Sequence, residues 1–156
     1  MRCSMRSLSP PDLPRAQRWT QSGRISLWRY LENERNYPGW HLNADPAGCQ
    51  SLLALLDALV ADGVGSRAIL ITAPGKTELG VPNNRRGLAA WVAPEKLRLT
   101  LSTTDDHWSF PLDAETAALE IGSAWLAALR QGVAGIAQGQ GDYAIGKGGH
   151  RLWFWW

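Results

Sequence analysis

The sequence predicts an α+β fold in which an antiparallel or mixed sheet carries two helices on one face. Residues 40–63 and 108–132 share one order of features: a Trp opens a short alternating segment, an Asp follows five residues later, and an amphipathic helical pattern runs to a Gly. A second alternating run precedes each segment, so each forms a predicted β-hairpin followed by a helix. With a strand after each helix, the chain forms two ββαβ units with approximate internal two-fold symmetry. The alternative is that two unrelated stretches of an α+β protein share this order without duplication.

The first unit spans residues 24–73. Residues 24–31 and 39–44 are predicted to form its hairpin, because apolar side chains recur there at the period of a strand. The continuous apolar run RAILITA, residues 67–73, is typical of a central strand that is covered on at least one face.

The helix of the first unit is predicted over residues 46–62. Asp45 suits the N-cap position, and Pro46 suits the first helical position, where no N–H is needed. Gly63 can adopt the left-handed conformation that ends a helix. The apolar stripe of this helix consists of Cys49, Leu52, Leu53, Leu56 and Val60.

The second unit spans residues 96–156. Alternation over 97–101 and 108–112 predicts its hairpin, and Asp113 is the expected N-cap of a helix that ends near Gly132. The stripe of that helix consists of Leu119, Gly122, Leu126, Leu129 and Val133. A glycine-rich stretch, with a short strand at 143–145, leads to the terminal HRLWFWW, which is apolar on both faces and is expected inside the sheet or under a partner.

Residues 1–23 are predicted to be an irregular basic arm, and residues 24–156 a single α+β domain with a connection at 74–95. The first 29 residues contain six Arg and only one acidic residue, Asp12. Several prolines favour a solvated, disordered arm. Contact of this arm with nucleic acid is an alternative that we do not favour.

Composition restricts the class of protein. The 156 residues are 45% hydrophobic and 19% charged, with a net charge of +2, as in an ordinary globular domain. No signal peptide and no apolar run of about 20 residues is visible, so we expect no membrane association and a cytoplasmic protein. Cys3 and Cys49 are the two cysteines, and we expect no disulfide between them.

No motif predicts a cofactor, a metal or catalysis. Residues 73–77, APGKT, resemble the end of a phosphate-binding loop, but that loop needs Gly at position 70, where this chain has Leu. His41, His107 and His150 lack the spacing of metal ligands. We therefore predict no catalytic residues, and we treat enzymatic activity as undecided and not favoured.

The predicted function is that of a small cytoplasmic, non-catalytic binding module for a protein partner, or one that self-associates through its terminal strand. Nine Trp residues support this, because Trp is enriched where proteins bind one another. Long connections such as 74–95 often carry binding sites. The candidate binding residues are Arg85, Arg86, Trp91, His107, Trp153 and Trp155.

The alternative is an enzyme, or a protein that binds a small ligand or an anion at a site between the two units. Arg85, Arg86, Asp106 and His107 would supply its polar groups. A deep cleft with convergent polar groups would favour this ligand site, whereas a flat aromatic patch would favour a protein partner.

Overall fold

The computed structural model describes residues 13–31, 38–80, 90–112, 116–140 and 143–156. The helices in these ranges are α1 Arg15–Arg18, α2 Pro46–Asp62, α3 Lys76–Gly80 and α4 Leu126–Ala137. The strands are β1 Ile25–Tyr30, β2 Trp40–Ala44, β3 Gly65–Leu70, β4 Trp91–Val92, β5 Lys96–Leu101, β6 Trp108–Ser109, β7 Ala117–Ile121, β8 Tyr143–Lys147 and β9 His150–Phe154. The predicted α+β class is confirmed.

The strands form two mixed sheets. The first has the order β4-β1-β2-β9-β8, in which β2 and β9 are parallel and the other neighbours are antiparallel. The second has the order β3-β5-β7-β6, in which β5 and β7 are parallel. Backbone and side-chain bonds link the two sheets, because Thr72 N–H donates to the Ile25 carbonyl, and the Trp108 indole donates to the His150 carbonyl.

The larger of the two hydrophobic clusters among the described residues lies between the helices and both sheets. Helices α2 and α4 pack against each other, α2 also contacts β2 and β3, and α4 contacts β2, β8 and β9. Their buried side chains join those of the inner sheet faces in one cluster. Both helices therefore cover the inner side of the strands, and the opposite face of the first sheet needs a separate cover.

The helix of the first unit begins and ends where the sequence predicts, although Val60 of its predicted stripe is exposed. The Asp45 carboxylate accepts a hydrogen bond of 2.7 Å from Gly48 N–H, Pro46 occupies the first turn, and Gly63 ends α2 with a φ of 94°. The prediction of one shared sheet is wrong, however, because β3 belongs to the second sheet. There it is an edge strand and not the central strand that its apolar run suggested.

The second unit departs from its prediction. Residues 117–121 form β7, and the helix begins only at Leu126, after a single 3₁₀ turn at Ser123–Trp125. Ala117, Leu119 and Ile121 alternate with less buried residues, so the same apolar positions satisfy a strand that pairs with β5. The second unit thus contains a strand that the first lacks among the described residues. Asp113, its expected N-cap, lies outside them.

Two glycines explain why the predicted bounds of the second helix were wrong. A side chain at Gly122 would collide with the carbonyl groups of Thr104 and Asp105, so Gly is needed there for close approach after the strand. A side chain at Gly132 would collide with the ring of Phe154, so this Gly lies inside α4 and permits close packing instead of ending the helix.

The described part of the predicted arm is folded against the domain. Residues 15–18 form α1, and the Trp19 indole donates a 2.8 Å bond to the Ser51 carbonyl of α2. Trp19 is buried. The arm prediction for residues 1–12 concerns residues outside the described ranges.

Replacement of Leu56 by Ala should lower the free energy of unfolding by about 2–5 kcal/mol, because it leaves a cavity in the shared core. Denaturant titration measures this change. Val60→Ala on the exposed side of the same helix is the control and should cost far less. Equal losses for the two variants would contradict the assigned core face of α2.

Candidate functional site

The outer face of the first sheet carries a second buried cluster. Along β1 and β2, residues with side chains opposite the core alternate with core residues. These outer-face residues are nevertheless buried, because α3 and the end of the chain cover them. We call this set the outer cluster; its members are Ser26, Trp28, Tyr30, His41, Asn43, Leu79, Trp91, Ala93, Trp153 and Trp155.

Three of the sequence-predicted site residues meet in the outer cluster. Trp91 packs against it, and the rings of Trp153 and Trp155 stack with centroids 6.1 Å apart. The Trp153 indole donates a 2.9 Å bond to the Pro38 carbonyl. Trp155 is only 2% exposed, so the cluster is mainly a packed layer and not a flat aromatic surface.

His107, another predicted site residue, does not join this cluster. His107 lies at the second sheet, where its Nε2 is 3.1 Å from Oε1 of Glu120 on β7. Asp106 is in the same turn, and its carbonyl accepts bonds from Trp125 and Lys147. Arg85 and Arg86 lie outside the described residues. Of the four candidates within the described residues, three therefore lie together and His107 lies apart from them.

His41 lies at the centre of the outer cluster. Its ring stacks between Trp28 and Trp155, with centroids 5.7 and 6.0 Å away, and Tyr30 meets it edge-on at 4.9 Å. The Trp155 indole N–H donates a 2.8 Å bond to His41 Nδ1. Since Nδ1 accepts this bond, the imidazole is in its neutral form with the proton on Nε2.

An open pocket of about 340 Å³ adjoins the outer cluster. We call it the polar pocket. The segments that form it are the residue before β1, the end of β2, the start of α2, α3, the end of α4 and the last residue. Its lining residues are Arg24, Asn43, Ala44, Asp45, Pro46, Thr77, Glu78, Ile136, Ala137 and Trp156.

Arg24 organises the wall of the polar pocket. Its Nη1 lies 3.0 Å from Glu78 Oε1 and donates a 2.9 Å bond to Ser26 Oγ, while its Nη2 donates a 2.9 Å bond to Asn43 Oδ1. Asn43 in turn donates a 2.9 Å bond to the Trp155 carbonyl. The planar guanidinium therefore fixes three side chains at once and connects the pocket to the outer cluster.

Asp45 contributes a charged carboxylate beside this network. Its Oδ1 accepts backbone hydrogen bonds from Arg24, at 3.0 Å, and from Gly48, at 2.7 Å. These two bonds, the one from Arg24 first, lower the pKa of Asp45 below its ordinary value, and the nearby Arg24 charge adds to the shift. The carboxylate is therefore ionised at neutral pH.

The charge balance of the polar pocket is negative. Two carboxylates, Asp45 and Glu78, face one guanidinium, that of Arg24. The last residues of α4 also line the pocket, and the carbonyl end of a helix favours a cation, whereas the start of α2 presents the opposite end of a helix and is already capped by Asp45. Trp156 at the rim is 52% exposed, which leaves its ring available to a ligand.

The site lacks the features of a metal centre. Among the described residues, no group of three or more His, Cys, Asp or Glu side chains is placed to hold a metal ion. In the same part of the chain, every helix is too short or too polar to cross a bilayer. Comparison with protein-family models, with curated proteins and with solved structures gives no match.

Sequence reasoning did not find the residues of the polar pocket. It treated Asp45 only as a helix cap, and it assigned no role to Arg24, Asn43 or Glu78. One signal was available: Trp28 and Tyr30 make the outer side of β1 apolar, which indicates that this face is covered and that polar residues beside it need partners.

Replacement of Asp45 by Ala should cost about 0.5–2 kcal/mol at neutral pH, because the first turn of α2 loses its cap. Asp45→Asn is the matched control, since Asn caps equally well and does not ionise. Denaturant titrations of the three proteins across pH measure both effects.

The pH dependence of this comparison has a defined sign. The folded-state pKa of Asp45 is lower than its unfolded value of about 3.9, so the ionised carboxylate stabilises the fold above that pH. That stabilisation is lost as the pH falls through the folded pKa. The difference between wild type and Asp45→Asn should therefore be constant above pH ~5 and decrease in acid; a difference that grows in acid would contradict it.

Trp155→Phe should destabilise the fold by about 1–3 kcal/mol before any packing loss, because it removes the N–H donor to the buried His41 Nδ1. Trp156→Phe makes the same change at an exposed ring and should alter stability by less than about 0.5 kcal/mol. Thermal unfolding followed by circular dichroism compares the two. Equal effects would mean that the His41 bond does not stabilise the outer cluster.

Proposed function

We propose that the protein is a non-catalytic binding module that holds a cationic group, an alkylammonium or a guanidinium, in the polar pocket. The observation that carries this proposal is the combination of a net negative charge with an exposed indole ring around one opening. A cation over the face of Trp gains about 0.5–2 kcal/mol, and Trp is the best of the aromatic rings for this contact. The pocket volume is near the lower end of the range for small-ligand sites, which suits a group of side-chain size.

The arrangement of Arg24 supports a cation more than an anion. Three of the five N–H donors of its guanidinium bond Glu78, Ser26 and Asn43, and the Glu78 carboxylate balances its charge, so an incoming carboxylate or phosphate meets a cation that is already paired. Glu78 bonds Arg24 through Oε1, and Asp45 receives both of its backbone bonds on Oδ1. The second oxygen of each carboxylate supplies the negative charge that a bound cation would meet.

The cationic group belongs either to a free small molecule or to a Lys or Arg side chain of a protein partner. The second source agrees with the protein partner predicted from sequence. Self-association through the terminal strand receives less support, because Leu152, Phe154 and Trp155 are buried in the protein's own fold.

Titration with n-butylammonium chloride, followed by the NMR signal of the Trp156 indole, tests the proposal. We expect a dissociation constant on the order of 1 mM, which corresponds to about −4 kcal/mol. Sodium butyrate has the same shape with the opposite charge and should not bind. Equal binding of the two compounds would refute the cation site.

Two substitutions locate the site. Glu78→Gln should weaken n-butylammonium binding by roughly tenfold, or about 1.4 kcal/mol, and Trp156→Ala should also weaken it. Glu120→Gln, at an exposed carboxylate on the second sheet, should leave it unchanged. If Glu120→Gln and Glu78→Gln have the same effect, the binding is non-specific charge attraction.

A blocked lysine tripeptide distinguishes the two sources of the cationic group. Tighter binding of this tripeptide than of n-butylammonium would indicate a protein partner, and weaker binding would indicate a free amine.

A further inference from the structure

The outer edge of β3 is a row of backbone groups that point away from the second sheet. Ile71 N–H bonds the Glu95 carbonyl beside β5, whereas Thr72 N–H bonds the Ile25 carbonyl on the other side. Because alternate residues of an antiparallel strand face alternate sides, Ser66, Ala68 and Leu70 direct their N–H and C=O groups outward. An open edge of this kind is a template for another strand.

Residues 14–23, which we call the strap, cover that edge. The strap is attached to α2 at two points. The Asp62 carboxylate accepts bonds of 2.8 and 2.9 Å from the backbone of Arg15 and Ala16, and Ser51 accepts bonds from the Trp19 indole and from Ser22 N–H. The strap thus follows the edge of β3 without forming a strand itself.

Two glutamine side chains of the strap take the place of a neighbouring strand. Gln21 Nε2 donates a 2.8 Å bond to the Leu70 carbonyl, and Leu70 N–H donates a 2.8 Å bond to Gln21 Oε1. This pair of bonds is the one that an opposed residue of an antiparallel strand would form. Gln17 Nε2 donates a weaker, 3.4 Å bond to the Ser66 carbonyl.

We propose that the edge of β3 is a strand-pairing surface for a second copy of this chain, and that the strap closes it. Antiparallel pairing of two β3 strands about Ala68 places Ser66 of one copy opposite Leu70 of the other, so that the outward groups of both copies are satisfied. In this register Arg67 of each copy lies opposite Ile69 of the other, so no two like charges stand directly opposite each other across the pair. Pairing would also cover Leu70, whose side chain is 61% exposed.

The strap holds the one charged residue of β3, because Arg67 donates a 3.2 Å bond to the Trp19 carbonyl. Edge strands are commonly protected by Lys, Pro or a bulge, which discourage a second chain. Ser66, Ala68 and Leu70 have none of these, and the amides of Gln17 and Gln21 provide the protection instead. Loss of these two amides therefore converts a capped edge into a self-complementary one, while Ala16 and Trp19 of the strap remain packed in the core.

The variant Gln17→Leu/Gln21→Leu tests the proposal in the full-length chain, because it keeps the size of both side chains and removes their amides. Sedimentation velocity over a concentration series should show a dimer with a dissociation constant at least tenfold below that of the wild type. Gln50→Leu/Gln131→Leu makes the same change on exposed helix positions and should behave as the wild type. An unchanged association constant for the strap variant would overturn the proposal.

A third substitution tests whether association uses the edge of β3 or another surface of the protein. Ala68→Pro, added to the strap variant, removes an outward N–H and leaves the bonds to β5 in place, since Pro is tolerated in edge strands on the side away from the sheet. The triple variant should return to a monomer while its circular dichroism spectrum stays native. A folded triple variant that still dimerises would show that association uses another surface, and the proposal would be wrong.

Discussion

The structure depends on one constraint: the first sheet is apolar on both faces and must be covered twice. Ile25 and Leu27 of β1 pack into the shared core, while Trp28 and Tyr30 of the same strand face the other way and are equally buried. Helices α2 and α4 cover the inner face. The outer face is covered by α3 and by the residues around Trp155, which explains why the terminal segment is so rich in aromatic residues.

Burial of the outer face forces its side-chain polar groups into specific partnerships, with the exception of Trp28 Nε1, which is buried without a hydrogen-bond partner among the described residues. Ser26, His41 and Asn43 are on that face, and a buried polar group without a partner costs about 1–3 kcal/mol. Arg24 bonds Ser26 and Asn43, and Trp155 bonds His41. The same bonds hold the wall of the polar pocket in place before any ligand arrives. A pocket organised in this way loses little conformational entropy on binding.

Local signals in the sequence predicted the first unit well and the second poorly. Asp45, Pro46 and Gly63 each have one dominant conformational use, so α2 was defined better by its ends than by its stripe, in which Val60 is exposed. In the second unit, Leu119 fits both a helix stripe and a strand, and only pairing with β5 decides between them. That pairing is long-range, and the sequence around Leu119 contains no pattern that reveals it. The division into two sheets was missed for the same reason, since the apolar run of β3 does not reveal its neighbours.

The candidate site was missed for a related physical reason. The sequence analysis selected aromatic residues in the terminal strand because Trp is frequent at interfaces, but Trp155 is needed as cover for the outer face. The residues that converge on the pocket come from separate elements. Each also has a local role that is sufficient to explain it in the sequence, because Asp45 caps a helix and Arg24 precedes a strand. Only the exposed Trp156, just beyond the packed layer, keeps the property for which the Trp residues were selected. Aromatic residues in a sequence therefore indicate an interface only if they are not needed to cover a sheet face within the protein's own fold.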